Sequence, residues 1–170
     1  MSQSTTRRNG RNWMDRQRAF DAEGRLDKAR VEADPLVRLM NARRGALDYR
    51  VAQLRGLGRV PRVCLYALAT RDQVPTHSLN GAREFAARQD WQVGAGQCFT
   101  DHFGPTDPFI RPGWSLVRHQ IRFGYADGVM TLTHSVISPL LVEYELQLDL
   151  VNNYLGFIAL ATSETAGGQQ

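Results

Sequence analysis

The chain has 170 residues and a mass of 19.1 kDa, which suits one domain with its own hydrophobic core. Its 42% hydrophobic and 22% charged residues are typical of a globular protein, and no apolar run approaches the roughly 20 residues of a membrane span. The polar, Arg-containing N-terminus has no apolar segment after it, so we expect no secretory signal and a cytoplasmic protein. Cys64 and Cys98 each lie among apolar residues, which predicts buried free thiols and neither a zinc site nor a redox pair.

The charge is distributed unevenly along the chain. Residues 1–62 hold 15 of the 21 basic and 7 of the 17 acidic residues, a net charge of +8, whereas residues 63–170 have a net charge of −4. Basicity is therefore a property of the N-terminal third, which predicts an arm or helix for an acidic partner, with DNA as the first candidate.

Residues 1–58 are predicted to form a basic, partly disordered helical extension. Residues 1–12 are polar and aperiodic, and residues 13–33 have only a weak helical pattern. A clearer helix begins at Asp34-Pro35, where Asp34 caps it and Pro35 suits its first turn, and it ends at Gly56 and Gly58. Its apolar stripe comprises Leu36, Met40, Leu47, Val51 and Leu54.

Three interpretations of this helix are open. It packs on the neighbouring domain, it pairs with a second helix to make a homodimer, or it inserts into a DNA groove. Its arginines are predicted to lie largely off the apolar stripe, and together with those of the N-terminal segment they are candidate phosphate contacts. The DNA-binding candidates are Arg7, Arg8, Arg11, Arg43, Arg44, Arg50 and Arg55.

Residues 59–162 alternate between strand and helix patterns. Strands are predicted over 63–69, 91–99, 128–133 and 155–161, and helices over 78–89, 111–123 and 138–154, with Ser78 as a cap and Pro112 and Pro139 in first turns. This alternation predicts an α/β fold with a parallel sheet and helices on both faces. Residues 163–170 are predicted to be a disordered polar tail.

Functional sites of such sheets gather where the strands end. The candidates there are Thr70 after the first strand, Asp101 after the second, the Thr133–Ser135 segment after the third, and Arg111 at the start of a helix. Each residue also has a structural interpretation: Thr70 as a turn hydroxyl, Asp101 as a brace for the loop, and Arg111 in an ion pair. The histidines lie on different predicted elements, so no metal site is predicted, and Gly94-x-Gly96 lacks the context of a dinucleotide site, so no cofactor is predicted.

Several short motifs in this part of the chain resemble the serine recombinases, the resolvase/invertase family. Tyr66-Ala67 with Gln73 resembles the family's first strand motif, Cys98-Phe99-Thr100-Asp101 its second strand with an acidic residue, and Arg111-Pro112-Gly113-Trp114 the start of a family helix. The resemblance covers roughly residues 62–160 and implies a resolvase-like catalytic domain acting on DNA.

The resemblance also implies altered chemistry. The family's serine nucleophile falls on Thr70, one arginine falls on Leu68, and the Asp-Arg-Leu-x-Arg segment falls on His134-Ser135-Val136-Ile137-Ser138. Arg111 is the one arginine kept, so the implied site is Thr70, Asp101 and Arg111 in degenerate form. Family members continue into a DNA-reading domain after this core, so here we expect recognition from the N-terminal segment or a partner.

Three functions therefore remain in view. The preferred one is a catalytically degenerate, DNA-associated accessory or regulatory protein. The others are an active site-specific recombinase that uses Thr70, and an interaction module that dimerises through residues 35–55.

Overall fold

The computed structural model describes residues 34–72, 74–102 and 107–166. The predicted disordered segment 1–12 and the weak helix of 13–33 lie outside these residues, as do Arg7, Arg8 and Arg11. The described elements, in chain order, are α1 (Pro35–Gly56), β1 (Arg62–Leu68), α2 (Pro75–Arg88), β2 (Gln92–Asp101), a 3-10 turn (Pro108–Ile110), α3 (Pro112–Arg122), β3 (Gly128–Thr131), α4 (His134–Ile137), α5 (Leu141–Asn153) and β4 (Phe157–Leu160).

The described strands form one sheet in the order β2-β1-β3-β4, and every neighbouring pair is parallel. The predicted α/β fold with a parallel sheet is therefore confirmed. Strand β1 lies at the centre and is buried along almost its whole length, which explains its continuous apolar run. The pairing between β1 and β2 shifts in register between Val63 and Leu65 of β1. The β2 segment at this shift contains Gly96, which has φ +70°. Glycine suits this bulge because it has no Cβ to clash at positive φ.

Successive strand residues point to opposite faces and form two hydrophobic clusters. Helix α2 and the C-terminal half of α1 cover the face that contains Val63 and Leu65. Helices α3 and α5 cover the other face, where Cys64 and Tyr66 lie. Helices on both faces bury the sheet, as the alternation of elements predicted.

Helix α1 packs on this sheet and is part of the same compact unit, which begins at Asp34. This helix, which the sequence assigned to the extension 1–58, buries Leu39, Val51 and Leu54 against β4, α5 and the two clusters. Such a helix shields the outer side of an edge strand from pairing with other chains. The interpretation in which this helix packs on the neighbouring domain agrees with the structure.

Helix starts were predicted with mixed success. Asp34 accepts a hydrogen bond from the Leu36 N–H at 3.0 Å, and Pro112 opens α3, both as predicted. Ser78 is not a cap, because α2 already begins at Pro75 and buries Ser78 inside the helix. Pro139 precedes α5 instead of standing in its first turn, since the chain makes the short helix α4 first.

A buried ion pair joins α1 to the segment after β4. The Arg43 guanidinium donates to both carboxylate oxygens of Glu164, at 2.6 and 2.9 Å, and the Tyr144 hydroxyl donates to the same carboxylate at 2.9 Å. Arg43 is 6% exposed and Glu164 is 3% exposed. The beginning of the tail that was predicted to be disordered is thus packed at Glu164, and residues 167–170 lie outside the described residues.

The charge of Arg43 controls the ionisation of this pair. Burial raises the pKa of Glu164, but hydrogen bonds from Arg43 and the backbone, the Arg43 charge and the Tyr144 hydroxyl outweigh burial and hold that pKa below its ordinary value. Burial lowers the pKa of Arg43, and Glu164 more than reverses this effect. Both groups are therefore charged at neutral pH.

No helix in the described ranges is long and apolar enough to cross a membrane.

The replacement Glu164→Ala is expected to lower the free energy of unfolding by about 3 kcal/mol, because it leaves the Arg43 charge buried without its partner. The exposed pair of Arg38 and Glu145 provides the matched control, with N···O 2.7 Å. Glu145→Ala should cost less than about 1 kcal/mol. Urea unfolding followed by circular dichroism measures both, and equal losses would contradict the assignment.

The same pair predicts an acid dependence. A carboxylate whose folded pKa is depressed contributes stability that is fully present above its unfolded pKa and is lost as pH falls through the folded pKa. The stability difference between the wild type and Glu164→Gln should therefore be constant near neutral pH and shrink below the ordinary carboxyl pKa of 4.5.

Candidate functional site

The carboxyl ends of β1 and β2 are tied together at the predicted site. The Ala69 N–H donates to the Asp101 carbonyl at 2.7 Å, so the two strand ends stay together up to Thr70, which still forms a β-bridge before the turn at Arg71 and Asp72. Thr70, Arg71 and Asp72 are exposed. Gln73, which carried part of the resemblance, lies outside the described residues. The Thr70 hydroxyl is thus accessible from solvent at the expected end of the sheet.

Asp101 is buried and acts as the cap of α3. Its carboxylate accepts hydrogen bonds from the backbone N–H groups of Gly113 and Trp114, at 2.8 and 3.0 Å, and from the Tyr66 hydroxyl at 2.8 Å. A carboxylate at a helix N-terminus satisfies orphan donors and complements the helix dipole. The structure therefore supports the interpretation of Asp101 as a structural brace.

Glycine is required beside this carboxylate. A Cβ on Gly113 would lie 2.6 Å from the Thr100 carbonyl oxygen and 2.9 Å from Asp101 Oδ2. These contacts are too short for any side chain, so α3 approaches β2 closely only because residue 113 has none. The Arg-Pro-Gly-Trp motif thus has a packing explanation in this chain.

Arg111 lies directly before α3 and is only 2% exposed. One guanidinium nitrogen donates to the Val136 carbonyl at 2.8 Å, in α4, and the guanidinium also bonds the Tyr66 hydroxyl. Burial raises the pKa of Tyr66, the Arg111 hydrogen bond opposes that rise, and Asp101 adds to it, so the phenol is neutral. Tyr66, Asp101 and Arg111 therefore form one buried polar cluster under the exposed turn.

The segment after β3 directs its polar groups inward or to one another. The Thr133 and Ser135 hydroxyls lie 2.9 Å apart, and the buried Ser138 hydroxyl donates to Glu143 at 2.6 Å. The His134 ring is 5.5 Å from that of Tyr144, and burial, with the nearby Arg43 charge, lowers the pKa of His134 against an opposing effect of Glu164. This segment places no cationic side chain at the positions where the resemblance implies two arginines.

The four candidate arginines of α1 do not share one environment. Arg43 is the buried partner of Glu164, so the prediction that it contacts phosphate is wrong for this fold. Arg50 is half-buried and donates to Gln53 at 3.2 Å. Arg44 and Arg55 are exposed and lie 11 residues apart, which puts them on one side of the helix about 16 Å from each other. They remain candidates for DNA contact.

The described ranges contain no group of three His, Cys, Asp or Glu residues that fits a metal ion. Cys64 and Cys98 are free thiols; Cys64 is buried as predicted, whereas Cys98 is only half-buried. Burial, with a small contribution from Cys98, raises the pKa of Cys64 to about 12, so this thiol is protonated and unreactive.

Comparisons with known proteins address the fold. No family model matches the chain, and no curated protein matches it in sequence. Among solved structures, the C-terminal catalytic domain of ISC1926 TnpA, an IS607-like serine recombinase, superposes with a TM-score of 0.53 at 16% identity, over 63% of this chain and 76% of that one. The N-terminal catalytic domain of TP901-1 integrase gives 0.52 at 20% identity, over 60% and 78%.

The fold is that of a serine recombinase catalytic domain. The resemblance stated from the motifs is thereby confirmed at the level of fold, and at these identities the likeness extends no further. Within this recombinase-like fold, Thr70 and Asp101 stand at the ends of adjacent strands as predicted. Sequence reasoning missed Tyr66, Tyr144 and Glu164 as members of polar clusters, because each reads as an ordinary strand, helix or tail residue.

The replacement Asp101→Ala is expected to lower the free energy of unfolding by about 3 kcal/mol, because it removes the acceptor of three buried donors. Tyr66→Phe, which removes one of those donors, should cost about 1 kcal/mol. Denaturant unfolding measures both. A near-neutral Asp101→Ala would mean that this carboxylate does not hold α3 in place.

Proposed function

We propose that this chain is a catalytically degenerate serine-recombinase-like protein that associates with DNA as an accessory or regulatory factor. The observation that carries the proposal is the contrast between Thr70 and Arg111. The hydroxyl is exposed, whereas the one arginine kept from the family motif is 2% exposed and hydrogen-bonded to Val136 and Tyr66. A phosphate held at the surface would not meet that guanidinium.

The chemistry explains why this contrast matters. Attack on a phosphodiester builds negative charge in the transition state, and preorganised cations have to stabilise that charge. Loss of a single such donor typically slows an enzyme by about 10²–10³-fold. The positions matched to the other arginines hold the buried Leu68 and the hydroxyls of Ser135 and Ser138. The lack of cations at these positions therefore favours binding over catalysis.

The proposed mode of DNA association is electrostatic. Arg44 and Arg55 project from one side of α1, and Arg7, Arg8 and Arg11 belong to the same basic third of the sequence. Arginines that contact phosphates hold a protein on DNA without reading bases, so the affinity should be modest and should fall with salt. Recognition of a specific DNA sequence would have to come from a partner protein.

The dimerising-helix alternative receives less support. Val51 and Leu54, which belong to the predicted stripe, are 8% and 0% exposed because they pack in the hydrophobic core of this chain. The stripe is therefore not available to a second copy. A homodimer would need a different surface.

Duplex binding tests the proposal. In fluorescence anisotropy on a labelled duplex over a salt series, the double replacement Arg44→Ala/Arg55→Ala should weaken binding and reduce the slope of log affinity against log salt by about 1.8, which is about 0.9 for each lost phosphate contact. The triple replacement of Arg7, Arg8 and Arg11 by Ala should reduce it further. Arg88→Ala, an exposed arginine on α2, is the control. Salt-independent binding by the wild type would overturn the electrostatic mode.

Strand-transfer chemistry requires its own test. Incubation with supercoiled DNA followed by denaturing electrophoresis should yield no covalent protein–DNA adduct from the wild type. Thr70→Ser, which restores the family's nucleophile, should remain equally inactive because the missing cations are not restored. An adduct that is present in the wild type and absent from Thr70→Ala would establish an active enzyme.

A further inference from the structure

Helix α3 carries a groove and an exposed surface that the proposed function does not use. The groove has a volume of about 210 Å³ and is lined by Ser115, Arg118, His119, Arg122 and Tyr154. Ser115 lies three and four residues before Arg118 and His119, and Arg122 lies four and three residues after them, so the four residues form a row along the solvent side of α3. Trp114, Val117 and Ile121 occupy the opposite side in the core.

This row is positively charged without compensation. The sequence of α3 contains no acidic residue, and none of the five lining residues is a carboxylate. Among the described residues, neither Arg118 nor Arg122 has an ion-pair partner. Their guanidinium groups instead lie over aromatic rings: Arg118 is 5.0 Å from the Phe109 centroid, and Arg122 is 5.7 Å from that of Phe123 and 5.9 Å from that of Tyr154. The surface therefore favours an anionic ligand.

Aromatic rings flank the cations and face solvent. Phe109, Phe123 and Tyr125 are 46%, 57% and 61% exposed. Large apolar side chains clustered at a surface mark a binding site more often than singly scattered ones do. The His119 ring packs against that of Phe123 with centroids 4.4 Å apart and planes tilted by 41°, and His119 also lines the groove. Arg118 and Arg122 thus each lie beside an exposed aromatic ring.

We propose that this surface, formed by Phe109, Arg118, His119, Arg122, Phe123 and Tyr125, binds single-stranded nucleic acid. Arginines would contact the phosphates, and the exposed rings would stack on unpaired bases, a combination that suits single strands of any sequence. The bases of a duplex stack on one another and are not accessible to an aromatic side chain, so a duplex would contact only the arginines of this surface. An acidic peptide would use the cations and leave the rings uncovered.

The C-terminal end of this surface lies apart from the predicted catalytic residues, whereas Phe109 stands two residues before Arg111. Helix α3 begins beside Asp101 at the carboxyl ends of the strands. The chain just after α3 lies at the amino ends of the strands, where Arg62 at the start of β1 donates to the Gly124 carbonyl at 2.9 Å. Arg122 and Phe123 therefore lie near the amino ends of the strands, whereas Thr70 lies at their carboxyl ends. The proposal does not depend on duplex binding through α1 and survives if that binding fails.

The test uses the full chain in fluorescence anisotropy with a labelled oligothymidylate, a duplex of equal length and a labelled polyglutamate peptide. The wild type should bind the single strand, and Phe123→Ala should leave duplex and peptide binding unchanged, because neither ligand stacks on this ring. Arg118→Ala/Arg122→Ala should reduce the single-strand salt slope by about 1.4, since each lost phosphate contact accounts for about 0.7. Phe123→Ala should weaken binding by about tenfold, within the range for loss of one stacked base, and leave the slope unchanged.

Two controls separate this proposal from general charge and from misfolding. Arg88→Ala removes an arginine that lies over Phe85 at 5.7 Å, the same geometry as Arg122 over Phe123, and should leave single-strand binding unchanged. Phe123→Ala should also keep the wild-type thermal midpoint, because Phe123 is exposed. A Phe123→Ala variant that binds the single strand like the wild type, or an Arg118→Ala/Arg122→Ala variant with an unchanged single-strand salt slope, would overturn the proposal.

Discussion

The carboxylate of Asp101 is the interaction on which the arrangement of this domain depends. It stands at the end of β2, accepts the first backbone donors of α3 and receives the hydroxyl of Tyr66 from β1. One buried group thereby fixes the ends of two strands and the start of the helix that covers them. Because Gly113 brings α3 within hydrogen-bonding distance, the helix has little freedom to shift. Arg111, one residue before α3, is held inside the same cluster, and its position follows from this constraint.

The same constraint bears on function. In a site built to stabilise a phosphoryl transition state, a cation has to reach the reacting atoms. Here Arg111 extends toward the carbonyl of Val136 and the hydroxyl of Tyr66, and Asp101 is occupied by three donors. Each partner satisfies a group that would otherwise be buried without a hydrogen bond, so the cluster stabilises the fold. Polar residues retained from a catalytic motif can therefore persist for structural reasons alone, which weakens the inference from motif to activity.

The strand and helix pattern predicted the sheet well because each buried strand is a short apolar run between turn residues, as in Val63–Ala69. Pro112 correctly predicted the start of α3, because a helix accepts proline without disruption only in its first turn. The cap assigned to Ser78 misplaced the start of α2, which the proline rule, applied to Pro75, would have given correctly. The sequence could not show which arginines of α1 are buried and which are exposed. Arg43 is buried because it pairs with Glu164, which lies 121 residues further along the chain, and local periodicity does not indicate a partner at that distance.

The net charge of a surface depends more on which charged side chains pair in the folded chain than on the number of charged residues in a segment of the sequence. Of the net +8 in the N-terminal third, Arg43 is neutralised internally and Arg38 pairs with Glu145 at the surface. Helix α3, in the part of the chain with net −4, presents two arginines that have no carboxylate partner among the described residues. The surface with the strongest local case for a nucleic acid thus lies in the acidic part of the sequence. A ligand responds to the field of the nearby groups within about a Debye length, not to the sum over a segment. Local unpaired cations flanked by exposed rings are therefore the better guide to where this domain meets its ligand.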